Sequence, residues 1–307
     1  MIPQVLLDNP FRTAAALAAL ALVLAFVIGL ANERVIDWLR RRVMASPQVA
    51  AMVPCALLLP YAVYAAGTGA FSFMALAKIV AYVALPVMLL WPDRLRRADR
   101  FGWRDGAAMV TLVLPIMARW MYGVFTWPVE LYFFLPLTAV SIGGYVFLVL
   151  RGLDNAGFAL LWQWRDVVNG LAHFAGFAAV ALPLGTWLGF IHFHATPLTG
   201  SLLAKAVGMF VGIYLTIAIP EELFFRGILQ NIFDKSLRRG TAALPLLLAA
   251  VIFGATHLIN PPVPNWRYGI LATLAGLFYG NAYRRDRRLP ASALTHALVD
   301  TLWQLWF

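Results

Sequence analysis

Charge is what this chain of 307 residues has least of. Asp, Glu, Lys and Arg make up 12% of it, against a hydrophobic share of 62%. So few polar groups cannot cover the surface of a soluble domain of this length. The composition therefore excludes a soluble fold and predicts an all-α, polytopic helical membrane protein. Cysteine is almost missing: Cys55 stands alone in an apolar run. That excludes an internal disulfide and a zinc site of several thiolates, and Cys55 reads as a small core residue. Acidic residues are few as well, 14 against 24 basic ones, for a net charge of +10. In so apolar a chain the excess fits loops facing an anionic cytoplasmic leaflet, and no nucleic-acid partner is implied. No G-x-S-x-G or H-E-x-x-H pattern occurs, no internal repeat is evident, and no stretch is long enough to form a separate soluble domain.

What is present is a series of apolar segments. Ten have about spanning length: 13–32, 49–66, 72–91, 107–126, 131–150, 167–191, 203–233, 242–259, 268–283 and 290–307. The first has no strongly basic start and no clear cleavage site, and reads as a retained span. Of the 24 basic residues, 18 fall in alternate connections, among them Arg40, Arg41, Arg42, Arg97, Arg238, Arg239, Arg284 and Arg285. Only Arg12 and Arg267 fall on the other side. This asymmetry puts both termini outside the cytoplasm. The expected organisation is a bundle of about five spans over 1–150, with no role readable from sequence, and a second bundle over 151–307.

Eleven of the 14 acids lie in connections or at segment ends; Glu221, Glu222 and Asp300 lie inside spans. An acid at the centre of a spanning helix costs roughly 2.5–3.5 kcal/mol, so these three need partners and a task. Residues four apart share a helix face. Glu222 and Arg226 can therefore pair, which leaves Glu221, about 100° round the helix, to face a cavity. Phe253 shares a face with His257, and His296 with Asp300. Counted from the cytoplasmic charges at about 1.5 Å per residue, Glu221 lies roughly 20 Å deep, His257 roughly 27 Å and His296 roughly 12 Å. Straight parallel helices would not bring them level. Two carboxylates and two imidazoles around a water-filled pocket suit hydrolysis. A desolvated glutamate serves as a base, a histidine shares the water's proton, and nearby donors hold the developing oxyanion.

The ordered motifs Glu221-Glu222-x-x-x-Arg226 (in fuller form E-E-x-x-F-R-G), Phe253-x-x-x-His257 and His296-x-x-x-Asp300 resemble the CPBP family. These are glutamic intramembrane proteases related to the CAAX prenyl endopeptidases and to bacteriocin-processing and self-immunity proteins. The resemblance covers roughly 167–307. It implies that Glu221 activates water with His257 beside it, that Glu222 and Arg226 hold the site, and that Phe253 shapes the pocket. It further implies that His296 and the last motif position bind the substrate carbonyl and the oxyanion. Many members carry Asn at that position. Asp300 stands there in this chain, and an ionised Asp cannot donate to an oxyanion, so Asp300 is either protonated or orients His296.

The reading is an intramembrane endopeptidase acting on a membrane-associated peptide or protein tail, with the bilayer as its other partner and no cofactor. The chain has 21 Arg against three Lys, a bias of GC-rich bacterial genomes, so a bacterial inner membrane and a sorting or leader peptide are expected rather than a prenylated substrate. Two other readings use the same residues. Glu221, Glu222, His257 and His296 could ligate Zn²⁺ in a metalloprotease. Alternatively, the chain is a non-catalytic immunity or scaffold protein. A proton-coupled transporter is a further option that the absence of a repeat disfavours.

Overall fold

The computed structural model describes residues 2–94, 96, 98–197, 199–237 and 243–307. Arg97, Arg238, Arg239 and the first residue of the 242–259 segment lie outside the described residues. The chain forms two compact units, Met1–Asp154 and Asn155–Phe307. Both are helical, with no strand among the described residues.

The first unit contains α1 (Ile2–Asp8), α2 (Pro10–Leu30), α3 (Glu33–Ala45), α4 (Pro47–Thr68), α5 (Phe73–Asp93), α6 (Trp103–Met117) and α7 (Phe134–Leu150). Short polar residues set several of the starts. The Asn32 side chain accepts the Arg34 N–H, the Ser46 hydroxyl that of Val49, and the Ser72 hydroxyl that of Ala75. Each satisfies a donor that the first helical turn leaves open. α7 is buried along its whole length, and its last turns, Gly144–Leu150, are π-helical. Two arginines close its C-terminal end. Arg40 donates to the carbonyls of Leu148 (2.7 Å) and Leu153 (2.9 Å). Buried Arg151 pairs with Asp105 at 3.0 Å and donates to the carbonyls of Arg96 and Arg100.

Three details differ from expectation. α3 occupies what reads as the first connection; it buries Ile36 and Val43 and exposes Arg34, Trp38, Arg41 and Arg42. The 107–126 segment is not one helix: α6 ends at Met117, and Arg119 and Gly123 take positive φ in the turns that follow. Cys55 is exposed on α4 rather than in the core. In a membrane, lipid and core are equally apolar, so hydropathy does not tell which way a small apolar residue faces.

The second unit contains α8 (Trp164–Trp187), α9 (Gly200–Ser236), α10 (Ala243–Thr256), α11 (Trp266–Asp286) and α12 (Leu289–Trp306). Residues 158–163 are irregular up to the start of α8. α11 is central and packs against α8, α10 and α12. α2, α4, α5, α8 and α9 are long and apolar enough to cross a membrane; α7 and α10 are apolar but shorter.

Glycines bring α10 and α11 together. A Cβ on Gly276 would sit 2.9 Å from the Ala250 Cα, and one on Gly254 would overlap the Thr273 hydroxyl and lie 2.6 Å from the Gly269 carbonyl oxygen. Backbones this close gain dispersion contact that larger residues would forbid. α9 is one continuous helix of 37 residues, but not uniformly α. Tyr214–Ala218 and Leu223–Gln230 are π-helical and flank a short α turn, Ile219–Glu222. π-turns inside α-helices frequently mark functional sites.

Gly276→Ala should lower Tm by several degrees, because overpacking against a neighbouring backbone costs about 1–3 kcal/mol. Gly208→Ala, where an added Cβ meets nothing, should leave Tm unchanged or raise it. Thermal unfolding of both variants in one lipid or detergent checks the contrast.

Candidate active site

The π-helical stretches of α9 bracket the two glutamates and give adjacent carboxylates opposite surroundings. Glu222 is fully buried. Its Oε1 accepts from Arg226 Nη1 and from His296 Nδ1, both at 2.9 Å, and its Oε2 accepts from the Ser292 hydroxyl. Arg226 is 1% exposed, uses Nη2 on the Gly276 carbonyl at 3.3 Å, and lays its guanidinium over the Phe253 ring, 4.5 Å from the centroid. Tyr279 covers it at 5.3 Å. A buried ion pair is tolerated when hydrogen bonds and aromatic faces replace the lost water, and each of these contacts does part of that.

Glu221 faces the other way. It lies on the wall of a cavity of about 350 Å³ with 37% of its side chain exposed. The same cavity is lined by Phe253 of α10, His257 in the turn just after it, Tyr268 and Tyr279 of α11, and His296 and Asp300 of α12. The rest of the wall is largely apolar, with Phe174, Phe177 and Leu182 of α8, Leu271 of α11 and Val299 of α12. Elements α8 to α12 all contribute to the wall of this space, which brings together residues that a count along straight helices holds apart.

The two histidines are held differently. His257 Nδ1 lies 2.8 Å from the Phe253 carbonyl oxygen. A carbonyl only accepts, so Nδ1 carries the proton and Nε2 of the neutral ring is left as an acceptor. The ring is wedged between Phe253 and Tyr268, with both centroids at 4.7 Å. His296 stands between carboxylates. Its Nδ1 meets Glu222, while its Nε2 lies 3.4 Å from Asp300 Oδ2 and 3.9 Å from Glu221 Oε2. A doubly protonated ring donates to both sides at once. Tyr279 stacks on it at 4.7 Å with the planes 19° apart.

All seven residues singled out from sequence thus fall in one cluster. Glu221, Phe253, His257, His296 and Asp300 line the cavity, and Glu222 and Arg226 lie behind its wall. Ser292 and the two tyrosines were not foreseen. Ser292 had a signal: it sits four residues before His296 and eight before Asp300, so the three form a polar stripe on an apolar helix. Tyr279 and Tyr268 had none, since an aromatic in a spanning helix looks like packing. Among the described residues, no group of three or more His, Cys, Asp or Glu side chains is arranged to hold a metal ion. Of the ligands considered for zinc, Glu222 has both oxygens engaged by Arg226, His296 and Ser292.

Residues 203–302 match the family model of type II CAAX prenyl endopeptidase Rce1-like proteins. Over this segment the chain is similar to the CAAX proteases. It runs from α9 to within five residues of the C-terminal end of the described chain and carries every residue of the three motifs. α8, whose aromatic residues line the cavity, lies outside the match. No curated protein and no solved structure matches the chain. The family and the helical fold make this a membrane-embedded hydrolase of the protease class.

Arg226→Lys should fail to replace Arg226. An ammonium has no planar face for Phe253 and cannot reach both Glu222 and the Gly276 carbonyl in the fork geometry. Breaking a buried pair costs about 3–5 kcal/mol. A marked fall in Tm is expected for Arg226→Lys and a larger one for Arg226→Leu, both read by thermal unfolding in lipid.

Proposed function

We propose that the second unit is a glutamic intramembrane endopeptidase in which Glu221 and His257 activate a water molecule. The observation that carries this reading is the split between the two glutamates: Glu222 is saturated and buried, while Glu221 makes no hydrogen bond and shares the cavity wall with an imidazole, His257, whose Nε2 can accept. Water held between them gives a proton to the Glu221 carboxylate as its oxygen attacks the scissile carbonyl carbon. A C–O bond forms and the carbonyl pair moves to oxygen. When the tetrahedral intermediate collapses, the C–N bond breaks and Glu221 returns the proton to the leaving nitrogen. Glu222, Arg226 and Ser292 keep His296 oriented at the reacting carbonyl, and Phe253 closes the wall behind it.

The apolar wall suits an extended, apolar stretch of a membrane-associated peptide or a protein tail. The arginine bias favours a bacterial inner membrane and a leader or sorting peptide over a prenylated tail. The basic connections support both termini lying outside the cytoplasm.

Glu221→Gln, purified in lipid, should lose about 10²–10⁴-fold in kcat on the peptides that the wild type cuts in a substrate-profiling digest, with its Tm retained. Chelator should leave wild-type cleavage unchanged. Abolition by chelator would instead support the zinc reading, and equal behaviour of wild type and variant would support a non-catalytic partner-binding role. Orientation is checked separately in a Cys55→Ala background. A cysteine at Arg285 should be protected from a membrane-impermeant maleimide in intact cells, and one at His192 should be labelled.

A further inference from the structure

The site as described is short of a hydrogen-bond donor. Water attack on a peptide carbonyl places a negative charge on its oxygen, and catalysis requires donors aimed at that charge. Asp300 accepts when ionised and has nothing to donate. His296 has its Nδ1 committed to Glu222, which leaves its Nε2, 3.4 Å from Asp300 Oδ2 and 3.9 Å from Glu221 Oε2, as the one donor turned to the carbonyl. Arg226 is buried behind the wall and occupied by Glu222 and the Gly276 carbonyl.

Tyr279 meets the need. Its side chain is almost wholly enclosed, 2% exposed, yet it lines the cavity. Its hydroxyl makes no hydrogen bond to any described residue, and it is not among the side-chain oxygens sealed from the cavity without a partner. A buried tyrosine hydroxyl normally finds a partner, and one without a partner on a cavity wall is a group held ready for a ligand. The ring is fixed on two sides, stacked on His296 at 4.7 Å and covering the Arg226 guanidinium at 5.3 Å, so the hydroxyl needs little reorganisation. The cationic neighbours Arg226 and His296 also favour charge developing next to it. Tyr268 is the other cavity tyrosine whose hydroxyl has no described partner, but it flanks His257, on the side of the water-activating pair.

We propose that Tyr279 is a catalytic residue of this site, its hydroxyl donating to the oxyanion of the tetrahedral intermediate in place of the donor that Asp300 cannot supply. This rests on the protease reading above. As the C–O bond forms, the carbonyl pair settles on oxygen and the Tyr279 O–H strengthens its hydrogen bond to it. When the C–N bond breaks, the pair returns to the carbonyl, and the tyrosine keeps its proton throughout.

The test compares Tyr279→Phe, Tyr268→Phe and wild type on one cleaved reporter peptide in lipid. Removal of one oxyanion donor typically lowers kcat by about 10²–10³-fold. The expected result is a fall of that size for Tyr279→Phe with KM changed little, Tm retained and weaker inhibition by a peptide aldehyde, whose hydrate mimics the intermediate. Wild-type kcat in Tyr279→Phe, or a loss confined to Tyr268→Phe, overturns the assignment. Should Tyr279→Phe unfold, 3-fluorotyrosine placed at 279 keeps the ring and makes the hydroxyl more acidic. The alkaline limb of the kcat profile should then move to lower pH, and an unmoved limb overturns the proposal. Absence of cleavage by the wild type itself counts against the protease reading instead, so the two failures are distinguishable.

Discussion

Glu222 is the residue on which the site depends. A carboxylate with no exposure to solvent, inside a helix of a membrane protein, is sustainable only if its oxygens are satisfied at every point. Satisfying it recruits Arg226 from its own helix and Ser292 and His296 from α12. Arg226 in turn needs a second acceptor, the Gly276 carbonyl, and aromatic cover from Phe253 and Tyr279. One buried charge therefore ties α9 to α10, α11 and α12. The neighbour in sequence, Glu221, makes no hydrogen bond to that network, comes no nearer to it than 3.9 Å at His296 Nε2, and lines the cavity, which is why the proposed chemistry is given to it.

What was legible beforehand was what a helix makes periodic. The Glu222–Arg226 pair, the opposite facing of Glu221 and the shared face of His296 and Asp300 follow from the 3.6-residue repeat, and each has a counterpart in the structure. Relations between helices were not legible. The counts that set His257 and His296 roughly 15 Å apart in depth assumed straight rods of uniform rise; real helices start at different heights, tilt and widen. Ser292 could have been suspected from its stripe with His296. Tyr279 could not, because nothing in its neighbourhood on α11 distinguishes a tyrosine that packs from one that presents a hydroxyl.

The first unit shows the same boundary between local and tertiary information. The turns after Met117 escaped notice because Trp120, Met121, Val124 and Phe125 keep hydropathy high with no helix beneath them. α3 escaped for the opposite reason: its arginines lower the mean so far that a regular amphipathic helix reads as a connection. Arg40 and Arg151 counted as cytoplasmic charges, yet Arg40 caps the Leu148 carbonyl at the end of α7 and Arg151 holds the carbonyls of Arg96 and Arg100, so a charge that sets topology also satisfies backbone.

The π-turns of α9 carry a consequence for how the site tolerates deletion. A π-turn closes over one more residue than an α-turn. In an ordinary α-helix, loss of one residue turns everything on one side of it by about 100°. Relaxing the Tyr214–Ala218 π-turn to α-helix takes up the missing residue, so the N-terminal half keeps nearly its phase relative to the Glu221–Glu222 pair. The wider turn is a spare residue in the helix, and the facing of the two glutamates survives a one-codon deletion there.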